Sequence, residues 1–438
     1  MNSKPRSKLI TISSILVLYL IIFFLFSQLG FPIRKDEIHY WPVSLKFSQD
    51  WVPGVDLLKN YDELTTPLSF IIFGTIEHLF HGGIFAGRLL NLILSFGMLS
   101  ILVWMGGASR KYLVSVIGIL VYPYFIGCST HLYTDVIAAF FVLIGLVTYL
   151  KGANWVSCLS FVLAISARQY MLAFPLGIFT FETLNLLKSG DSKVRRGIAV
   201  RSLWQGFACL SIGVWILLWG NFGPGLEVFR QNVLTTSLFK LTPEHSLYFL
   251  SCLGFYFVLP EAILLYAMSL IAAGHAIPTP CRVWGKSPAG TQKNTGFRVK
   301  PGMTKTERLM SLCLKRTKWV SNSLNKRIII VSASLLLLFL LFPPYQNVNY
   351  DIPTMGYMDK LFRMIGGDLF RMAVFYILAL TACLRFLSFD LESFFVLSNG
   401  LVMLKSHIAW DKYLLPLIVA LWFLNAYEKK ETLSATHL

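Results

Sequence analysis

The stretch that decides the fold is LITISSILVLYLIIFFLFSQL, Leu9 to Leu29, which carries no charged side chain. An apolar run of about 20 residues matches the thickness of a bilayer's hydrocarbon core when helical. Lys4, Arg6 and Lys8 precede it and place its start on the cytoplasmic side. Gln28, Leu29, Gly30 and Phe31 make a poor signal-peptide cleavage site, so a retained first span is expected. Comparable runs recur at about 84–106, 112–128, 131–150, 154–169, 171–187, 199–219, 246–272, 328–344, 368–387, 390–408 and 413–427. In lipid every backbone polar group must be satisfied within the protein, which makes such runs helices. The expectation is an all-α polytopic membrane bundle of about twelve transmembrane helices with both termini cytoplasmic.

Composition agrees. Charged residues are 14% and hydrophobic residues 55% of the 438, whereas a soluble domain carries roughly 25% charge. The net charge of +17 does not indicate nucleic acid, because the basic residues collect in short segments between apolar runs, as orientation rules require. The partner they imply is the lipid bilayer. Arg110 and Lys111, then Lys188, Lys193, Arg195, Arg196 and Arg201, then the segment 275–327 all fall on the side of the N-terminus. Seven scattered cysteines contain no CxxC pair, so neither a zinc site nor a disulfide framework is indicated. His78 and His81 stand i,i+3 without an evident third ligand and read as interfacial polar residues rather than a metal site.

Three regions follow. Residues 1–274 hold the N-terminal spans and a long first outer segment, 31–83, in which seven acids face four bases. Within it Pro67 to Phe80 is too short to span and is expected along the interface. Residues 275–327 hold twelve Lys or Arg against Glu307 alone, punctuated by Pro278, Pro280, Pro288 and Pro301, a composition that cannot bury a core. It reads as a cytoplasmic insertion without catalytic part, with contact to anionic headgroups as the alternative. Residues 328–438 hold the C-terminal helices.

Polar residues where the bilayer makes them costly are the candidates for chemistry. Asp36 and Glu37, with His39, Tyr40 and Trp41, stand just beyond the first span. Adjacent carboxylates on a helix point in different directions, so one can face a pocket while the other bonds locally; a cap and a solvated acid is the plain alternative. Tyr61-Asp62-Glu63-Leu64-Thr65-Thr66-Pro67 reads as a turn in which Thr65 or Thr66 caps the helix that Pro67 begins. Asp135 opens an apolar helix from outside, serving its N-terminus or facing the same cavity as Asp36. Arg168 and Gln169 lie between two apolar runs on the outer side, against the charge rule. A guanidinium there suits a phosphate, or pairs internally with Asp135 or Asp36. Lys412, at the outer start of the last span, either snorkels or contacts phosphate.

Taken together, DEIHYWP at Asp36–Pro42, ELTTP at Glu63–Pro67, HLYTDV at His131–Val136, ARQYML at Ala167–Leu172 and WDKYLLP at Trp410–Pro416 resemble the segments of the dolichyl-phosphate-glucose-dependent α-1,2-glucosyltransferase family, within the GT-C class of membrane glycosyltransferases. The resemblance follows the family's order over most of the chain outside 275–327. It departs where His131 and Leu132 replace more aromatic residues, where Tyr170 follows Arg-Gln, and where Lys412 replaces an arginine. It implies a GT-C-like fold with a long first outer loop and an inverting transfer of a hexose, glucose in the family, from a polyprenyl-phosphate-linked donor to a glycan or glycolipid acceptor. It implies that Asp36 or Glu37 is the catalytic carboxylate, with Asp36 chosen as base. His39, Thr65, Thr66, Asp135, Arg168, Gln169 and Lys412 become substrate-binding candidates, Arg168 and Lys412 on the leaving phosphate. No cofactor and no metal are called for. The absence of Asn-x-Ser/Thr sequons, with the repeat-like run Gly296–Lys305, suggests a bacterial relative; the expected location is then a bacterial inner (plasma) membrane with the active site on the periplasmic or outer face. Two other classes stay open: a transporter or flippase of a lipid-linked or anionic solute, and a non-catalytic assembly protein.

Replacing residues 280–320 by a short Gly/Ser linker is expected to leave membrane insertion and folding intact. Size-exclusion chromatography of the purified variant checks this, and an aggregated or non-inserted product contradicts it.

Overall fold

The computed structural model describes residues 5–34, 36–106, 111–220, 223–224, 241–274, 322–344, 356–406 and 409–427. Among these every regular element is a helix. In order they are α1 (Pro5–Leu25), α2 (Glu37–Phe47), α3 (Val55–Lys59), α4 (Leu68–Phe80), α5 (Gly83–Met105), α6 (Lys111–Val121), α7 (Pro123–Thr130), α8 (Thr134–Leu150), α9 (Asn154–Ala167) and α10 (Ala173–Lys188). There follow α11 (Ser192–Leu210), α12 (Ile212–Trp219), α13 (Pro243–Leu253), α14 (Leu259–Gly274), α15 (Asn322–Leu341), α16 (Tyr357–Ile365), α17 (Asp368–Arg385), α18 (Leu391–Met403) and α19 (Leu415–Ala426). Apart from its last few residues, the insertion at 275–327 lies outside the described residues.

Among the described residues, helical backbone covers most of each apolar run of the sequence. Five stretches are long and apolar enough to cross a membrane: Arg6–Leu25, Gly83–Met105, Gln169–Lys188, Ser192–Trp219 and Pro243–Leu270. A sixth forms if α6 and α7, bent by 69° about Tyr122, count as one. The bend has a local cause. Pro123 cannot donate a backbone hydrogen bond and pushes the residue before it out of the helical region, leaving Tyr122 extended at φ −72°, ψ 111°. The core lies around α8 and α19, which pack on each other and are buried on nearly all sides. A helix apolar all round belongs in such a position. Trp422 of α19 fills the space over Gly118 of α6, where a Cβ would approach its ring to 2.2 Å.

Two expectations are corrected here. The first apolar run does not continue as helix to Leu29: α1 stops at Leu25, and Ser27, Gln28 and Leu29 take left-handed backbone angles. Arg88 of α5 holds the chain that leaves the helix, its Nη1 donating to Leu29 O at 2.8 Å and Phe31 O at 2.7 Å. Nor do Thr65 and Thr66 cap α4, which has no side-chain cap. The Thr66 hydroxyl instead donates to Ile165 O at 2.7 Å, stitching the outer segment to α9.

The outer segment is not an open loop. α2 and α4 pack together through Phe47, Tyr61, Phe70 and Phe73, all buried, and α4 approaches so closely that a Cβ on Gly74 would meet the Phe47 backbone at 2.7 Å. Glu37 anchors this cap. It is fully buried and takes a two-pronged bond from Arg88, Nε to Oε1 at 2.8 Å and Nη2 to Oε2 at 2.6 Å. Leu132 N and Arg34 N donate to the same carboxylate at 2.7 and 3.2 Å. Both oxygens of Glu37, one of the two carboxylates put forward from sequence, are therefore engaged in these bonds.

Removing one partner of a buried pair strands the other charge, at a cost of about 3–5 kcal/mol. Glu37→Gln and Arg88→Met are each expected to lower the melting midpoint of the purified protein by several degrees, and the double variant to recover part of the loss. A single variant melting like the wild type contradicts the anchoring role.

Candidate functional site

Five segments distant in sequence meet at the bundle end where α1 finishes and α8, α10 and α19 begin. Asp36 precedes the first turn of α2. Glu63 lies on the turn before α4, Asp135 in the first turn of α8, and Arg168 between α9 and the short 3-10 turn Gln169–Leu172. Lys412 lies on the 3-10 turn Asp411–Leu414 that leads into α19.

Arg168 is buried and donates through Nη2 to Asp135 Oδ2 at 2.7 Å and to the Tyr40 hydroxyl at 3.1 Å. Tyr170 OH donates to the other Asp135 oxygen at 2.6 Å. Of the two internal partners foreseen for Arg168, the structure selects Asp135. A guanidinium offers five N–H donors, and the Arg168 Nε is buried with no partner among the described residues. Lys412 pairs with Asp36. Its side chain is only 8% exposed, so the snorkelling reading is set aside: the ammonium stays inside, beside the rings of Tyr133 and Trp410 at 5.2 Å each. Tyr40, Tyr170 and Tyr413 ring the Arg168 guanidinium at 5.6–6.0 Å. Two cations thus sit in one box of phenol and indole faces, an arrangement that stabilises positive charge where water is scarce.

Gln169 does not face the box. Its amide donates to Leu64 O at 2.6 Å and accepts from Thr66 N at 3.2 Å, so it clamps the turn that carries Glu63. Thr65 and Thr66 are buried in that turn, and Tyr61 OH donates to Thr65 O at 2.5 Å. His39 is exposed on α2 and joins none of these bonds. Of the candidates read from sequence, Asp36, Asp135, Arg168 and Lys412 come together; Gln169, Thr65 and Thr66 frame them; Glu37 and His39 stand outside.

The acids differ in their titration. Burial works to raise Asp36, but the charge and hydrogen bond of Lys412, aided by Arg168, outweigh it and hold the carboxyl below its usual range. Glu63 is half-buried and makes no ion pair among the described residues. Burial raises it, Arg168 opposes and Asp36 reinforces, with the net effect that it is pushed up to about 7. Sequence reading passed over Glu63 as part of a capping turn. The available signal was an acid two residues before a buried Thr pair.

Asp411 explains how Lys412 is aimed. Its carboxylate is buried and accepts from Tyr248 OH, from Tyr256 OH at 2.6 Å and from Met358 N at 3.0 Å, while Tyr122 OH donates to its carbonyl at 2.6 Å. Gly356, at φ 142°, leaves room for it; a Cβ there would come within 2.3 Å of the carboxyl. With Asp411 fixed on one side of the 3-10 turn, Lys412 is turned to the other. Among the described residues no three His, Cys, Asp or Glu side chains group so as to hold a metal ion. His78 is engaged by Ser48 O at 2.8 Å.

Because Asp36 is held low by Lys412, its contribution to stability is present above the unfolded-state value of about 3.9 and is lost as pH falls through its lower folded pKa. In Lys412→Met the largest influence lowering Asp36 is gone and only Arg168 and His39 still oppose burial, so most of that contribution is lost. The stability gap between wild type and Lys412→Met is therefore expected to be larger at pH 7 than at pH 3. Denaturation followed at both pH values checks this, and a gap that widens on acidification contradicts it.

Compared with known proteins, the chain matches no family model, no curated protein and no solved structure, so the functional reading rests on the geometry and chemistry of this end of the bundle.

Proposed function

We propose that the protein is an integral membrane glycosyltransferase that moves a hexose from a polyprenyl-phosphate carrier to a hydroxyl of a glycan or glycolipid acceptor. In this reading the chain crosses the membrane about twelve times with a GT-C-like fold, and the site opens on the outer face, the periplasmic one in a bacterial inner membrane. The observation that carries the reading is the pair of buried cations, Arg168 and Lys412, brought from separate loops to one aromatic-walled site beside carboxylates. Asp135 and Asp36 neutralise them in part, and Arg168 keeps an unpartnered donor. Such a site suits a phosphodiester monoanion whose charge grows as the glycosidic bond breaks.

The acceptor hydroxyl loses its proton to a carboxylate of the outer segment, Asp36 being the one the sequence puts forward. Its oxygen attacks the anomeric carbon, the bond from that carbon to the phosphate oxygen breaks with its electron pair on the oxygen, and polyprenyl phosphate leaves as the dianion. Configuration inverts because attack and departure are on opposite faces. Arg168 and Lys412 stabilise the charge developing on the phosphate, the kind of preorganised electrostatics that contributes most in many enzymes.

The test is transfer of label from a polyprenyl-phosphate-[14C]hexose to a glycolipid fraction of native membranes by the protein in nanodiscs. Wild type is expected to transfer, and Arg168→Lys to need roughly tenfold more donor or worse, since a charge-assisted hydrogen bond contributes about 1.5–3 kcal/mol. Movement of intact donor across vesicles without label transfer would favour the transporter instead.

A further inference from the structure

We propose that Glu63 is the general base of this site and that Asp36 is a positioning residue that holds Lys412 in place. The proposal rests on the transferase reading above and changes the residue to which the proton goes.

The geometry separates the two acids. Asp36 is committed: Lys412 binds Oδ2, and the Tyr40 hydroxyl stands 3.5 Å from the same oxygen. A proton taken up by Asp36 would leave the buried ammonium without its counter-charge at the moment when phosphate charge must be balanced. Glu63 is not committed to a cation: no ion pair claims it among the described residues, and its carboxylate takes one backbone hydrogen bond, from Leu64. Its place is nevertheless fixed. The turn that bears it is clamped from both sides: Gln169 bonds Leu64 O and Thr66 N, Thr66 bonds Ile165 O, and Tyr61 bonds Thr65 O. The clamp residue Gln169 directly follows Arg168, so one corner of the chain sets both the guanidinium and the turn carrying Glu63.

The charged groups that act on Glu63 are Arg168, Asp36 and Lys412, and it acts in turn on the phenols of Tyr40 and Tyr61. Efficient general bases have a pKa near the working pH. Two acids driven apart by a shared environment take different roles. Asp36 below the usual range is a weak proton acceptor, whereas Glu63, pushed up to about 7, is a matched one. The step balances without a further reactant: the acceptor O–H bond breaks and its proton passes to a Glu63 oxygen; the new C–O bond forms at the anomeric carbon as the bond to phosphate breaks. Glu63 then releases the proton to solvent, to which its half-buried side chain has access.

The experiment compares Glu63→Gln with Asp36→Asn in the label-transfer assay across pH 5–9, alongside isotope-edited infrared difference spectra of the glutamate carboxyl. Wild-type kcat/KM is expected to fall on the acid side with a bend near pH 7. Glu63→Gln should lose about 10²–10⁴-fold in kcat and lose the bend, with donor KM within a few-fold of wild type. Asp36→Asn should keep the bend and raise donor KM. Glu63→Gln turning over normally, or Asp36→Asn abolishing the bend, overturns the assignment. If wild type transfers no label, the transferase reading falls and the base assignment falls with it. The infrared titration reports separately whether Glu63 takes up a proton near neutral pH, and one that does so only near pH 4 overturns the assignment even in an active enzyme.

Discussion

A positive charge buried at the end of an apolar bundle must be given a counter-charge, and this requirement organises the structure. Arg88, Arg168 and Lys412 are each buried and each meet one carboxylate, Glu37, Asp135 and Asp36. Leaving any of them alone would cost several kcal/mol, so the pairs dictate which loops must meet. Arg88 draws the chain leaving α1 back onto α5 and fixes the outer cap. Arg168 ties the α9–α10 corner to α8. Lys412 ties the last helix to the first outer segment. The opposite end of the bundle has its own pairs, Arg201 with Glu182 and Arg385 with Glu261 and Glu392, so charge holds both ends while apolar packing holds the middle.

These three pairs, of Arg88, Arg168 and Lys412, are not equivalent. Glu37 and Arg88 satisfy each other and the neighbouring backbone, which leaves no donor for a ligand. Arg168 and Lys412 have donor capacity beyond their carboxylates, and their surroundings are aromatic rather than backbone. A closed pair fixes the fold; an open pair can bind an anion. The division follows from donor counting, since a guanidinium offers five N–H groups and an ammonium three.

Much of this was legible in the sequence, and the remainder was hidden for a physical reason. Helix positions followed from runs of apolar residues, because the helical period and the length needed to cross lipid are local properties. The break at Tyr122 could be read from Pro123. The unusual placement of Arg168 and Asp135 also showed, since a charge between apolar runs stands out. Asp135 could be named as one of two partners for Arg168 but not chosen over Asp36, and Asp36 with Lys412, 376 residues apart, had no local signal at all. That Glu37 and Asp36 diverge could be read from their adjacency on a helix, but the partner of Glu37, Arg88, sat unremarked near the start of α5. Thr66 looked like a cap because it precedes Pro67, but tertiary packing offered its hydroxyl a better acceptor in Ile165 O. The charged neighbours of Glu63, which are Arg168, Asp36 and Lys412, come from other parts of the sequence, so its setting is visible only in three dimensions.

The central claim is that Arg168 and Lys412 form one anion site for a lipid phosphate. Binding of a short-chain polyprenyl phosphate to the purified protein, followed by native mass spectrometry, tests it most directly. The account predicts saturable binding to wild type and its loss in the Arg168→Ala, Lys412→Ala double variant, with retention in a Lys188→Ala control at the opposite end. Equal binding by wild type and a folded double variant would contradict it.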